Sequence, residues 1–339
     1  MLLAGDVGGT KTLLGLFEPG APRPVPRVVR TFDTQAFDSF AGILDTFAAA
    51  ESDRFVVTAA AIGVAGPILG RRAQLTNVSW SVDADHVRTR IDGAQVHLLN
   101  DLEAMAHAVD LLTPDEVAVL QEGSPDPDAS AAVIAAGTGL GQAYLRRVGG
   151  RRHAFASEGG HADFAARNER EIELLRRLRE RHGRAEVERV LSGPGLVTLH
   201  GFTHRGGECS LVDDLSAPDA PAQISRAGLG RRCQGCAEAL QIFVSAYGAE
   251  AGNLALRALA LSGLYVGGGI AAKILPALQS GLFMDAFLAK EPMRELLSRI
   301  PVKVILNAEA ALLGAAACAQ SLGRRGAGSG PSGPRDVTQ

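Results

Sequence analysis

Residues 2-LLAGDVGGTKTLLGLF-17 set two apolar runs on either side of Gly8, Gly9, Thr10 and Lys11. Paired glycines between such runs read as a β-hairpin, because glycine takes positive φ without steric cost. The turn places Asp6 at the end of a buried strand, next to backbone N–H groups that can approach an anion. The same arrangement, an apolar strand running into glycines, recurs at 130-SAAVIAAGTGLG-141 and at 262-SGLYVGGGI-270. Such turns form nests for phosphate oxygens. None of the three fits the P-loop spacing or opens a helix with the dinucleotide fingerprint, so both of those nucleotide-binding classes are set aside.

Working outward, 27-RVVRTF-32 predicts a third strand, 56-VVTAAAIGVA-65 a buried one, and 95-QVHLL-99 another that stops at Asn100-Asp101, where an Ala-rich helix begins. Residues 142–148 return from the second glycine turn. Residues 169–182 carry Ile172, Leu175 and Leu178 on one helical face and end at Gly183. A long helix is expected over about 235–260, a strand over 302–306, and an Ala-rich helix over 308–321. Hairpins mixed with helices, twice over in 339 residues, predict two α/β domains facing a cleft. Residues 203–226 are expected to be an exposed insertion.

The net charge of −3 argues against nucleic acid and anionic membrane surfaces, which favour basic patches. The Arg-rich run 176-RRLRER-181 reads as a solvated helix face. No apolar run is long enough for a membrane span, and the N-terminus lacks a signal-peptide pattern. A cytoplasmic protein is the expectation. The four cysteines (Cys209, Cys233, Cys236 and Cys318) are too few and scattered for a disulfide framework. Cys233 and Cys236 form a CxxC pair within the expected long helix. No second pair exists, so the sequence argues against zinc.

Several residues carry chemistry or a plain structural role. Asp6 reads as a turn cap or as a carboxylate reaching Mg²⁺ through water. Asp101 reads as a helix cap or as the base that takes a proton from an attacking hydroxyl. In 158-EGGH-161, Glu158 and His161 can bond sugar hydroxyls around two glycines; Glu188 is a further acceptor or a surface helix residue.

Together these stretches resemble the bacterial glucokinases of the hexokinase superfamily, in order from about Leu3 to Leu322. The phosphate signatures are similar to 6-DVGGTK-11 and 136-AGTGLG-141, and the adenosine signature to 266-VGGGI-270. The segments 76-TNVSW-80, 157-SEGGHADF-164 and 188-ERVLSGPGL-196 resemble stretches typical of the glucokinase branch. The resemblance implies an actin-like ATPase (ribonuclease H-like) fold with an interdomain cleft. Its small domain would be residues 1–110 plus 302–322 and its large domain 111–301, with 323–339 a disordered tail. It implies ATP-dependent phosphorylation of glucose, with ATP and Mg²⁺ required and a homodimer as the assembly. Asp101 would be the base on the 6-hydroxyl, and Asn77, Asn100, Gly137, Glu158, His161 and Glu188 would bind the sugar. Gly5, Asp6, Val7, Gly8, Gly9, Thr10, Lys11, Gly137, Thr138, Gly139 and Gly268 would surround the nucleotide, with Asp6 positioning Mg²⁺. Lys11 stands where this branch often has Asn and a repressor-related sister branch often has Lys, while the sister branch's Cys-rich zinc motif is missing. A kinase of fructose, mannose or an N-acetylated hexosamine is the alternative, followed by a non-enzymatic sugar sensor.

Overall fold

The structure is a computed structural model that describes residues 1–51, 56–75, 78–148, 151–205, 207 and 209–328. It divides into two compact units, Met1–Leu111 with Glu309–Gln339, and Leu112–Ala308.

The first unit holds strands β1 (Leu2–Val7), β2 (Lys11–Glu18), β3 (Val25–Asp33), β4 (Ala59–Val64), β5 (Ile68–Leu69), β6 (Arg72–Gln74), β7 (Ser81–Asp83) and β8 (Gln95–Asn100). Five of them form one sheet in the order β3-β2-β1-β4-β8, and β5, β6 and β7 form a small separate sheet. The expected hairpin is present, with Leu2 opposite Phe17 and Val7 opposite Thr12. β1, β4 and β8 run parallel, so Val7, Val64 and Asn100 end side by side on one edge.

All six residues of β4, AAAIGV, are buried. A parallel strand of this kind needs cover on both faces. Helix α1 (Phe40–Ala49) supplies Phe40, Ile43, Leu44 and Phe47 to one face. Helix α2 (Ala84–Arg90) adds Val87 to the same cluster. On the other face, Leu2, Ala4, Ala59 and Ala61 meet Ala104 of helix α3 (Asp101–Ala108) and Leu312, Ala315, Ala316 and Ala319 of the C-terminal helix Ala310–Gly328.

The second unit holds β9 (Val117–Gln121), β10 (Ala131–Ala136), β11 (Leu140–Val148), β12 (Arg151–Ser157), β13 (Gly263–Gly267) and β14 (Val302–Ile305), in the order β12-β11-β10-β13-β14-β9. It repeats the first sheet: three antiparallel strands (β12, β11, β10), then parallel β13 and β14, with β9 antiparallel at the far edge. Helices α4 (Glu169–His182), α5 (Gly193–His204), α6 (Ala220–Leu229) and α7 (Gln234–Ala258) pack over a core that includes Phe243, Tyr247, Leu254 and Ile134. α4 starts where Asn168 accepts from the Glu171 amide and stops at Gly183, whose φ is 75°.

Four expectations change. Residues 302–305 pair with β13 in the second sheet, where Val302 and Val304 are fully buried, so the chain returns to the first unit only at Glu309. Part of the expected tail is helical. The last helix continues to Gly328, since extending a formed helix costs little per residue; residues 329–339 lie outside the described ones. The stretch 203–226 is no simple exposed insertion: it contains the end of α5 and most of α6, and Val212, Ala220 and Ile224 enter the core. Cys233 caps α7 instead of lying inside it. Among the described residues, no helix is long and apolar enough to cross a membrane.

Candidate active site

In the first unit, the parallel ends of β1 and β8 bring Asp6 and Asp101 to one edge of the sheet. Asn100 caps α3, its Oδ1 accepting from the Leu102 amide at 3.0 Å. Asp101 is the first residue of that helix, and its Oδ1 accepts from the same amide at 2.9 Å. The cap is therefore Asn100 rather than Asp101, which opens the helix, and a helix N-terminus favours the ionised carboxylate. Burial, and after it the Asp101 charge, push the Asp6 carboxyl up to about 7, with Lys11 pulling the other way. Two neighbouring carboxylates, one of them half-buried and poorly hydrated, call for a proton or a cation. The residues present therefore fit a divalent ion brought in with a nucleotide.

The turn after β1 is closed by the Gly8 amide donating to the Lys11 carbonyl at 3.0 Å. Thr10 and Lys11 are exposed, and Gly8 and Gly9 are half-buried. Gly5 and Val7 are buried strand residues paired to both neighbours, so they support the turn from within the sheet. Asn77 lies outside the described residues.

In the second unit, the Gly137–Gly139 turn ends β10 and the Gly268 turn ends the adjacent parallel strand β13, with Ala135 opposite Gly267. Gly268 has φ of 86°, and a Cβ there would lie 2.4 Å from the Ala136 carbonyl oxygen, so only glycine fits. Tyr247 of α7 ties the two strand ends together. Its hydroxyl accepts from the Ala136 amide at 3.0 Å and lies 3.3 Å from the Ile134 and 3.4 Å from the Gly267 carbonyl oxygens. Burial pushes this phenol above its ordinary range, so it stays protonated.

Glu188 is no surface helix residue. It lies in a single 3₁₀ turn, and its Oε2 accepts from the Leu140 amide at 2.8 Å, just after the second glycine turn. The loop 158–161 is laced to this region. The Ala162 carbonyl accepts from the Val187 amide at 2.9 Å, and His161 Nδ1 lies 3.2 Å from Glu186 Oε2. Glu158 Oε2 is 3.9 Å from the other ring nitrogen, His161 Nε2, with three quarters of the Glu158 side chain exposed. Thr138, His161, Glu186, Glu188 and Arg189 line one cavity of about 820 Å³. The structure thus gathers Thr138, His161 and Glu188 around one cavity. It adds Glu186, which also pairs with Arg189 at 3.0 Å. Glu186 and Tyr247 belong to no glycine-rich stretch and contact partners far along the chain. A single sequence carries no signal for either.

A family profile described as Glucokinase matches residues 3–322. The glucokinase of Nostoc punctiforme is 38% identical over 340 residues, covering 95% of this chain and 99% of its own length. A glucokinase crystal structure from an Antarctic psychrotroph superposes with a TM-score of 0.83 at 30% identity, covering 94% of this chain and 98% of the other. A ROK family glucokinase from Streptomyces griseus, solved with glucose and AMPPNP, superposes with a TM-score of 0.64 at 22% identity, covering 94% and 99%; at that identity the likeness is one of fold.

Proposed function

The chain belongs to the glucokinase family, and from that premise we propose how its own residues divide the work of moving a phosphoryl group from ATP to glucose. The enzyme is an ATP-dependent glucose kinase, as its full-length relatives are. In this reading Asp101 accepts the proton of the sugar 6-hydroxyl as that oxygen attacks the γ-phosphorus, and ADP departs. The observation that carries the assignment is the position of Asp101. It is the first residue of α3, where the helix N-terminus favours its charge, beside the half-buried Asp6.

Asp6 would hold Mg²⁺ through water, and the ion would neutralise charge on the phosphates. The Gly8–Lys11 and Gly137–Gly139 turns would receive phosphate oxygens, and Gly268 would lie by the adenosine. Asn77, Asn100, Glu158, His161 and Glu188 would bond the remaining hydroxyls. A site whose polar groups each need a hydroxyl rejects sugars that leave one unpaired. Support comes from the common cavity of His161 and Glu188 and from the two N–H donors that Asn100 carries besides its capping oxygen. The actin-like, ribonuclease H-like architecture belongs to the same reading and rests on the repeated order of the two sheets. So do the homodimer and the cytoplasmic setting, which rest on family resemblance.

The test is a coupled assay over a panel of hexoses with ATP and Mg²⁺, run on the wild type and on Asp101→Ala. Glucose should be the preferred sugar. The variant should keep its glucose KM and lose about 10²–10⁴-fold in kcat, the usual worth of a general base. Undiminished turnover in Asp101→Ala would remove that residue from its role.

A further inference from the structure

Five sulfur and imidazole side chains with no part in phosphoryl transfer converge where α5 ends and α7 begins. His200 and His204 stand one turn apart on α5, their rings stacked at 3.8 Å. Cys209 comes from the connection to α6. Cys233 is the cap residue of α7 and Cys236 lies in its first turn. Cys209 Sγ is 3.8 Å from both Cys233 Sγ and Cys236 Sγ. His204 Nε2 is 3.1 Å from Cys233 Sγ. The donor atoms of His200, His204, Cys209 and Cys236 all lie within 4.8 Å of one another.

These are the dimensions of a tetrahedral zinc site. Zinc–sulfur bonds of about 2.3 Å place two sulfurs of a regular tetrahedron about 3.8 Å apart. A disulfide would need them at about 2.0 Å and would leave the third thiol out.

Three further features suit a metal. First, His204 Nδ1 lies 2.8 Å from the His200 carbonyl oxygen. A proton on Nδ1 satisfies that carbonyl and turns the Nε2 lone pair toward the thiols, the usual support for a ligating imidazole. Second, the His200 ring is 3% exposed and stacks on the His204 ring, which holds the ligating imidazole in place. Third, the residue between the two α7-end cysteines that faces the ring is Gly235, where a Cβ would lie 2.5 Å from His204 Cε1.

We propose that Cys209, Cys233 and Cys236 bind one structural zinc ion, with His204 supplying the fourth donor and His200 stacked behind it. The metal fastens the α5–α6 connection, poor in apolar residues, to the start of α7. That long helix also carries Tyr247, and α5 is capped by Ser192, four residues after Glu188. The sequence concealed the site because its donors come from three separate places, with only one pair at CxxC spacing.

The experiment uses the full chain, purified under reductant without chelator. Elemental analysis should find about one zinc per chain, the stoichiometry of a closed structural site. Cobalt loaded in place of zinc should give tetrahedral visible absorption and a strong sulfur-to-metal charge-transfer band. Both should vanish in Cys209→Ser/Cys233→Ser/Cys236→Ser, which keeps Cys318, and His204→Ala should release zinc to a chelator at least tenfold faster than wild type. The wild-type cobalt titration stands alone if the triple variant fails to fold. Folded, reduced wild type that takes up neither metal overturns the proposal. So does an unchanged cobalt spectrum in the triple variant, or a disulfide among these cysteines in protein kept under reductant.

Discussion

Removing one oxygen atom, by Tyr247→Phe, isolates what holds the second and third glycine turns together. The ring is fully buried against Phe243 and Phe283, with ring centroids at 5.8 Å to each, and phenylalanine keeps those edge contacts. Only the hydroxyl is lost. Ala136 is buried, and its amide donates to that hydroxyl at 3.0 Å, so the substitution leaves a buried N–H without its partner. An orphaned buried donor costs about 1–3 kcal/mol. At about 1.4 kcal/mol per tenfold, opening of the β10 and β13 ends should become roughly 5- to 140-fold more frequent. Hydrogen exchange followed by peptide mass spectrometry reads this directly, by comparing peptides covering 131–141 and 263–270 with one covering β1 and β2. The KM for ATP should rise while the KM for glucose changes little. Exchange at β10 and β13 within twofold of wild type would refute the reasoning, since the hydroxyl would then hold nothing that water does not replace.

Asp6 predicts a pH effect on the ligand-free enzyme. Its folded-state pKa of about 7 lies above the unfolded value of 3.8, so the folded state holds the extra proton between those values. Stability from this group is present at low pH and is lost as pH rises from about 4 through about 7. Asp6→Asn should flatten thermal melts across that window, raise Tm at pH 8, and abolish the stabilisation by Mg²⁺ with ATP; a pH profile parallel to wild type would contradict the assignment. Gly268→Ala meets both a positive φ and the Ala136 backbone, so it should cost at least about 1–2 kcal/mol and lower the denaturation midpoint of the second unit. Gly137→Ala meets nothing within 4 Å. It should fold as wild type in the same denaturation curves while raising the ATP KM, and an unchanged KM would remove that turn from the phosphate site.

Much of the site could be read from the sequence because its signals are local. The hairpin at 2–17, the stop at Asn100-Asp101 and the glycine turns at 137–139 and 267–269 are each decided within about ten residues by apolar runs and backbone freedom. Strand identity follows from the same runs, since a fully apolar strand such as β4 must be covered on both faces. Asp101 was visible as either a cap or a base; the structure gives the cap to Asn100 and makes Asp101 the first residue of the helix, where the N-terminus favours its charge.

What the sequence could not decide depends on partners distant along the chain. Strand 302–305 sets three apolar residues around Lys303, and nothing local says whether it pairs with β13 or with the first sheet; register with Leu264 decides it. Glu186 acquires a role only when the His161 loop lies against it. His200, His204 and Cys209 form no spaced motif with Cys233 and Cys236, and they meet only because α5 and α7 pack with their ends together. A contact made by packing is a property of two surfaces at once, whereas the pattern of one stretch of chain records only its own half of it.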